Sequence, residues 1–168
     1  MKIHIINGPN LNMLGKRDAK QYGSVQLPEI LKALKANFPT HHIEDFQSNS
    51  EGALIDELHR LFEQKPDGLI YNFGGFTHTS IALRDALEIL PFPKIEVHLS
   101  NIHAREDFRK HSYSAEVADG IISGFGMYSY FLGMQAVIVK VQGNPTTQTD
   151  TLPQIDADSD AASNLTTT

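Results

Sequence analysis

Apolar positions along the chain switch between two periods. Short runs at Lys2–Asn7, which is β-branched, and at His42–Gln47, Gly68–Asn72 and Gly120–Ser123 read as strands. Between the first two runs, Ile30, Leu31, Leu34 and Phe38 recur at helical spacing behind Pro28, a residue that a helix tolerates in its first turn. Ser50 with Glu51 behind it opens a second stripe: Leu54, Ile55, Leu58, Leu61 and Phe62. A third helix begins near Ser80 with Ile81, Ala82, Ala86, Leu87 and Leu90 on one side, and Pro91 and Pro93 end it. Met127–Val141 reads as the closing helix, although its β-branched end also suits a strand. The remaining strand differs from the others. Ile95, Val97 and Leu99 alternate with Glu96, His98 and Ser100, so one face is apolar and the other carries a carboxylate, an imidazole and a hydroxyl.

Strands and helices alternate five times, which predicts an α/β fold with a parallel sheet and helices on both faces. With five strands the leading expectation is a flavodoxin-like three-layer sandwich, whose ligands bind beyond the carboxyl ends of the strands. Three polar clusters fall at that rim: Asn7–Tyr22, Asn72–Thr79 and His98–His111. Gly8–Ser24, which holds most of the first cluster, has neither helical nor strand period, and a loop of its length in a small domain is usually functional or disordered. The third packs His98, Ser100, Asn101, His103, Arg105, Glu106, Arg109 and His111 into a short stretch. So many polar groups are costly inside a fold unless paired, which points to the edge of a polar cavity. The alternative is a solvated loop after an edge strand.

Composition narrows the chemistry. The chain has 168 residues, enough for one domain with a real core. It has no cysteine, which excludes disulfides, thiolate zinc sites and a cysteine nucleophile. A formal net charge of −6 disfavours a nucleic-acid partner. No apolar run is long enough to span a bilayer and no signal-peptide pattern opens the chain, so a cytoplasmic location is expected. Residues 143–168 hold four Asp, no Lys or Arg, and few large apolar side chains. They read as a disordered acidic and polar tail behind a single catalytic domain over residues 1–142.

Neither GxxxxGK[ST] nor GxGxxG occurs, so nucleotide binding has little support. Gly74-Gly75 is either an anion-binding pair of amides or a tight turn before a helix. His78, His98, His103 and His111 lie near the expected rim without HExxH spacing or a dense carboxylate set, which argues against a catalytic metal. His4, His41, His42 and His59 read as surface or ordinary structural residues. No GxSxG elbow is present. Acid–base chemistry is left. Arg17 near Tyr22 favours the phenolate, and such a tyrosine acts as a base; anchoring the loop is the plainer role for it. His98 is the partner acid, with Glu96 on the same strand face to hold its tautomer and support the imidazolium.

The stretches GPNLNMLGKRDAKQYG, QSNSEG, NFGGFTHTSIALRDAL and IEVHLSNIHAREDFRKHSY resemble the four signature blocks of type II 3-dehydroquinate dehydratase, in the family's order. With the weaker GIISGFG block, the likeness covers nearly all of residues 2–141. The resemblance implies a flavodoxin-like fold, a dodecamer of four trimers, and no metal or organic cofactor. It implies a lyase that removes water reversibly from 3-dehydroquinate to give 3-dehydroshikimate. That reaction serves the shikimate pathway toward chorismate and aromatic amino acids, or quinate breakdown. By matched position, Tyr22 corresponds to the proton-abstracting tyrosine and Arg17 to the arginine that closes over it. Asn12 corresponds to the asparagine that stabilises the enolate with a water. His98 corresponds to the acid that protonates the departing hydroxyl, and Glu96 to the carboxylate that orients it. Asn72, His78, Leu99, Ser100 and Arg109 match substrate-binding positions, and Asp85 an aspartate supplied across a subunit contact.

Two segments depart from the pattern. The third block usually reads NPGAY, where this chain has Asn72-Phe73-Gly74-Gly75-Phe76. Met127-Tyr128-Ser129-Tyr130 is also unusual and bears on trimer packing. Two other classes stand beside the dehydratase. A non-catalytic flavodoxin-like binding module would have lost Tyr22, Arg17 or His98, and all three are present. A metal hydrolase using the histidines would lose activity with a chelator.

Overall fold

The computed structural model describes residues 1–16 and 25–143. Among them five strands form one parallel sheet in the order β2-β1-β3-β4-β5. They are β1 (Lys2–Asn7), β2 (His42–Gln47), β3 (Gly68–Asn72), β4 (Lys94–His98) and β5 (Gly120–Ser123). Four helices connect them: α1 (Leu27–Asn37), α2 (Glu51–Gln64), α3 (Ile81–Glu88) and, after β5, α4 (Tyr128–Gln142). This is the flavodoxin-like arrangement, with the order reversing beside β1 and β3.

The period of two decides which face each strand residue supplies. Ile3, Ile5, Ile70, Ile95 and Val97 join the core under α1 and α4. Ile6, Leu69 and Tyr71 join the core under α2 and α3. Ser50 caps α2 by accepting from Ala53 N at 3.4 Å, and Ser80 caps α3 by accepting from Leu83 N at 2.9 Å.

Two helical stripes differ from expectation. In α3 the buried residues are Leu83, Ala86 and Leu87, followed by Leu90, while Ile81 is 58% exposed and Ala82 also faces outward. Counting three and four residues from Leu83 reaches Ala86, Leu87 and Leu90, whereas the same step from Ile81 reaches Arg84 and Asp85. In α2, Phe62 lies outside the buried set of Leu54, Glu57, Leu58 and Leu61. β4 also stops at His98, two residues before the alternation does. Beyond it the His98 and Leu99 carbonyls accept from Gly124 N (3.2 Å) and Gly126 N (2.9 Å), which ties the rim to the turn after β5. Since β5 pairs with β4, the polar stretch does not follow an edge strand.

Where β1 and β3 end side by side, the chains approach closely. Gly8 N donates to Asn72 O at 2.7 Å. A Cβ on Gly8 would stand 2.4 Å from the Phe73 carbonyl oxygen, so no larger residue fits there. Gly74, at φ +57°, turns the chain in the left-handed region that favours glycine.

Candidate active site

The carboxyl ends of β1, β3 and β4 surround a cavity of about 140 Å³. Its floor is Asn72, its walls include His78 from the 3₁₀ turn Gly74–His78, and its far side is His98, Leu99 and Ser100. Arg105 and Arg109 stand at the lip, and Asn10, Leu11 and Leu14 close the side toward β1.

Asn72 is almost fully buried, and its amide is fixed on both ends. Its Oδ1 accepts from Gly74 N at 3.1 Å, and its Nδ2 faces the Tyr130 hydroxyl at 3.4 Å. That hydroxyl, from α4, donates in turn to Asn7 Oδ1 at 2.5 Å. Tyr130 is wholly buried, which pushes its phenol well above the ordinary value and keeps it protonated.

Glu96 and His98 project from the same face of β4. Glu96 has no solvent exposure and His98 only 5%. His98 Nε2 and Glu96 Oε1 are 2.6 Å apart. Ser112 donates to the same oxygen at 2.8 Å, and Ser114 donates to Oε2. Burial alone would raise the Glu96 carboxyl, but the hydrogen bonds from His98 and the serines outweigh it and hold the group below its ordinary value. With Glu96 ionised, Nε2 is the donating nitrogen of His98 and Nδ1 is left for a ligand. Ser129, the second residue of α4, donates to the His98 carbonyl at 2.8 Å and pins the end of the strand.

His78 lies next to His98, the rings nearly parallel at 16° with centroids 6.5 Å apart. Its Nδ1 donates to the His111 carbonyl at 2.7 Å. Burial lowers its pKa, the backbone bond opposes that, and the charges of His98 and Arg109 add to the lowering. His78 is thereby a neutral ring whose Nε2 accepts a hydrogen bond. Arg109 and Arg105 lie 3.2 and 3.6 Å from Glu106 Oε2 through their Nε atoms. The lip therefore presents cationic forks suited to an anionic ligand.

Of the residues singled out in the sequence, Asn72, His78, His98, Leu99, Ser100 and Arg109 share this pocket, with Glu96 directly behind His98. Asn12 does not join them. It is exposed on the turn Leu11–Met13 and faces a separate groove toward Leu27, Pro28 and Leu31 of α1. Asp85 is also elsewhere, on the outer side of α3, 3.0 Å from Arg84. Arg17 and Tyr22 lie outside the described residues. Among the described residues no group of three or more His, Cys, Asp or Glu is gathered as for a metal ion. His4, read as a surface or ordinary structural residue, is buried in β1 with its Nε2 2.8 Å from Glu57 Oε1.

The sequence reading missed Tyr130, Ser112 and Ser114. Tyr130 belongs to a segment read for its bearing on packing, and nothing local ties it to a strand end so far away in the chain. Ser112 and Ser114 carried a faint signal, two hydroxyls two residues apart just after the last rim histidine.

The family model described as dehydroquinase class II matches residues 1–138. The 3-dehydroquinate dehydratase of Thermotoga petrophila is 50% identical over 144 residues, 84% of this chain and 98% of that protein. Its namesake in Thermotoga neapolitana is 52% identical over 139 residues, 82% of this chain and 94% of that protein. The crystal structure of type II dehydroquinase from Butyrivibrio crossotus DSM 2876 matches with a TM-score of 0.80 at 38% identity, covering 82% of this chain and 97% of that one.

Proposed function

This chain belongs to the class II dehydroquinase family, and from that premise we propose that its rim pocket dehydrates 3-dehydroquinate reversibly to 3-dehydroshikimate. The observation that carries the reading is the buried Glu96–His98 pair opening onto a pocket with two arginines at its lip. The substrate is an anion with a ketone and a leaving hydroxyl, and the pocket offers a matching cation, acid and set of amides.

In this reading Tyr22 removes the proton beside the ketone, giving an enolate. Arg17 biases its phenol toward the phenolate that a base requires. Asn12, with a water, stabilises the enolate; that role rests on matched position alone, since its side chain is outside the rim pocket. His98, whose imidazolium Glu96 supports, then gives its Nδ1 proton to the departing hydroxyl, which leaves as water, and the ring is left neutral with its Nε2 proton donated to Glu96 in a hydrogen bond. Asn72, His78, Leu99, Ser100 and Arg109 hold the substrate. The reaction needs neither metal nor organic cofactor. Asp85, being remote from this pocket, serves a neighbouring subunit in trimers that build a dodecamer. Residues 1–142 form the catalytic domain. The reaction belongs to the shikimate pathway toward aromatic amino acids, or to quinate breakdown, in the cytoplasm.

Ultraviolet absorbance tests this directly, because the product is a conjugated enone and the substrate is not. The full chain should raise the absorbance on addition of 3-dehydroquinate. Tyr22→Phe should nearly abolish that turnover while substrate still binds. Arg17→Ala should slow it severely and move the rate's basic optimum upward. Raised Michaelis constants with near-normal turnover and an unshifted profile in both variants would reject Tyr22 as the base.

A further inference from the structure

Glu96 accepts from three side chains, two of which have no place in the reading so far. His98 Nε2 and Ser112 Oγ share Oε1, at 2.6 and 2.8 Å, while Ser114 Oγ donates to Oε2. Both serines are buried, Ser114 at 1% exposure. They stand on either side of Tyr113, two residues apart, so a single short segment brings both hydroxyls to one carboxylate. That segment is itself anchored. Tyr113 N donates to Thr77 O at 3.0 Å, and the Tyr71 hydroxyl donates to Ser114 O at 2.9 Å.

We propose that Ser112 and Ser114 are positioning residues that keep Glu96 an anion inside the protein, and so hold one His98 proton on Nε2 and let Nδ1 carry the proton that passes to the reacting hydroxyl. The proposal rests on His98 being the acid. A carboxylate this buried takes up a proton unless donors fill its oxygens. A protonated Glu96 would turn from acceptor into donor toward His98, and the imidazolium would lose its counter-charge. The other groups facing Glu96 do not replace the serines. The Tyr71 hydroxyl from β3 donates to the Ser114 carbonyl at 2.9 Å; it also stands within reach of Glu96, and burial and that carboxylate keep it protonated. His78, across the pocket, is neutral, and Arg109 at the lip is paired with Glu106. Asp119, before β5, adds negative charge near Tyr71 and helps to keep that phenol protonated.

The sign of the effect follows. Glu96 is held below its ordinary value despite burial, which pushes it up, and each donor removed lets it rise. The working form is the anion, so activity is lost as pH falls through the Glu96 value. Losing a serine therefore moves the acid limb of the turnover profile upward. One hydrogen bond to a charged group corresponds to about one to two pH units. Ser114→Ala should shift the limb further than Ser112→Ala, because Oε1 keeps His98 while Oε2 loses its serine.

The test measures turnover against pH in the full chain for wild type, Ser112→Ala, Ser114→Ala and Ser114→Thr, together with the ¹⁵N spectrum of the His98 ring. Expected are acid limbs displaced upward in both alanine variants, a limb near wild type in Ser114→Thr, and a wild-type ring protonated on Nε2. Reduced turnover or stability with an unmoved acid limb would show a merely structural role and overturn the proposal. A wild-type ring carrying its neutral proton on Nδ1 would overturn it as well, and that spectrum decides even if an alanine variant fails to fold. A wild type without dehydratase activity would sink the functional reading, and the ring spectrum would still report on the serines.

Discussion

A carboxylate with no exposure to water is the least expected group in a strand, and Glu96 shows what its presence requires. Desolvating such a charge costs several kcal/mol, and each hydrogen bond from a polar group to a charge returns about 1.5–3 kcal/mol. Three donors of that size together offset the cost. His98 sits at the end of that chain of bonds and is the group through which it reaches the pocket. If His98 is the acid, as proposed, His98→Ala removes it and leaves the rest of the lining in place. Turnover in saturating substrate should fall by about 10²-fold or more, the usual loss for a general acid, while product-like anions still bind. Lost binding with unchanged saturated turnover would make His98 a binding residue. Most of this pocket was legible one residue at a time, because topology alone puts Asn72, His98, Leu99 and Ser100 at strand ends. The serines were not, since what identifies them is the oxygen they face, not their place in the chain.

At the scale of elements, period and punctuation found each of the five strands and four helices. What they misjudged was phase. Ile81 and Ala82 follow the cap Ser80 and look like the start of a stripe, yet the buried face of α3 begins at Leu83. A single apolar residue at a helix start carries no phase information; only its partners three and four residues on do. The alternation in β4 likewise ran past the strand, because Leu99 stays buried after leaving the ladder. The junction of β1 and β3 supplies a test at this scale. Gly8 lies against the Phe73 backbone, whose carbonyl would be 2.4 Å from an added Cβ. Backbone cannot yield as a flexible side chain does, so Gly8→Ala should destabilise the fold by about 1–3 kcal/mol, the range for overpacking. A thermal melt in which Gly8→Ala matches the parent would show that the two strand ends separate freely.

At the scale of the whole molecule, the described residues form a sheet covered on both sides, with the candidate pocket at one end. The core under α1 and α4 closes with Tyr130, Met134 and Val137, and Val139 to Gly143 are exposed. Tyr130 and Ser129, near the start of α4, carry the helix's hydrogen bonds to the rim, through Asn72, Asn7 and the His98 carbonyl. What α4 contributes to packing and to the site is therefore complete before Gln142. The residues that follow hold four Asp and no basic side chain, and lie outside the described residues beyond Gly143. They also carry most of the chain's net charge, since residues 1–142 have 16 acidic and 14 basic side chains against −6 overall. A chain ending at Gln142 should keep its circular dichroism, its thermal midpoint, its sedimentation profile and its turnover of 3-dehydroquinate. Its ion-exchange elution alone should move, toward a less acidic position. If the shortened chain sediments as a smaller species, or loses most of its turnover with its fold intact, the segment after Gln142 contributes to assembly or to the site.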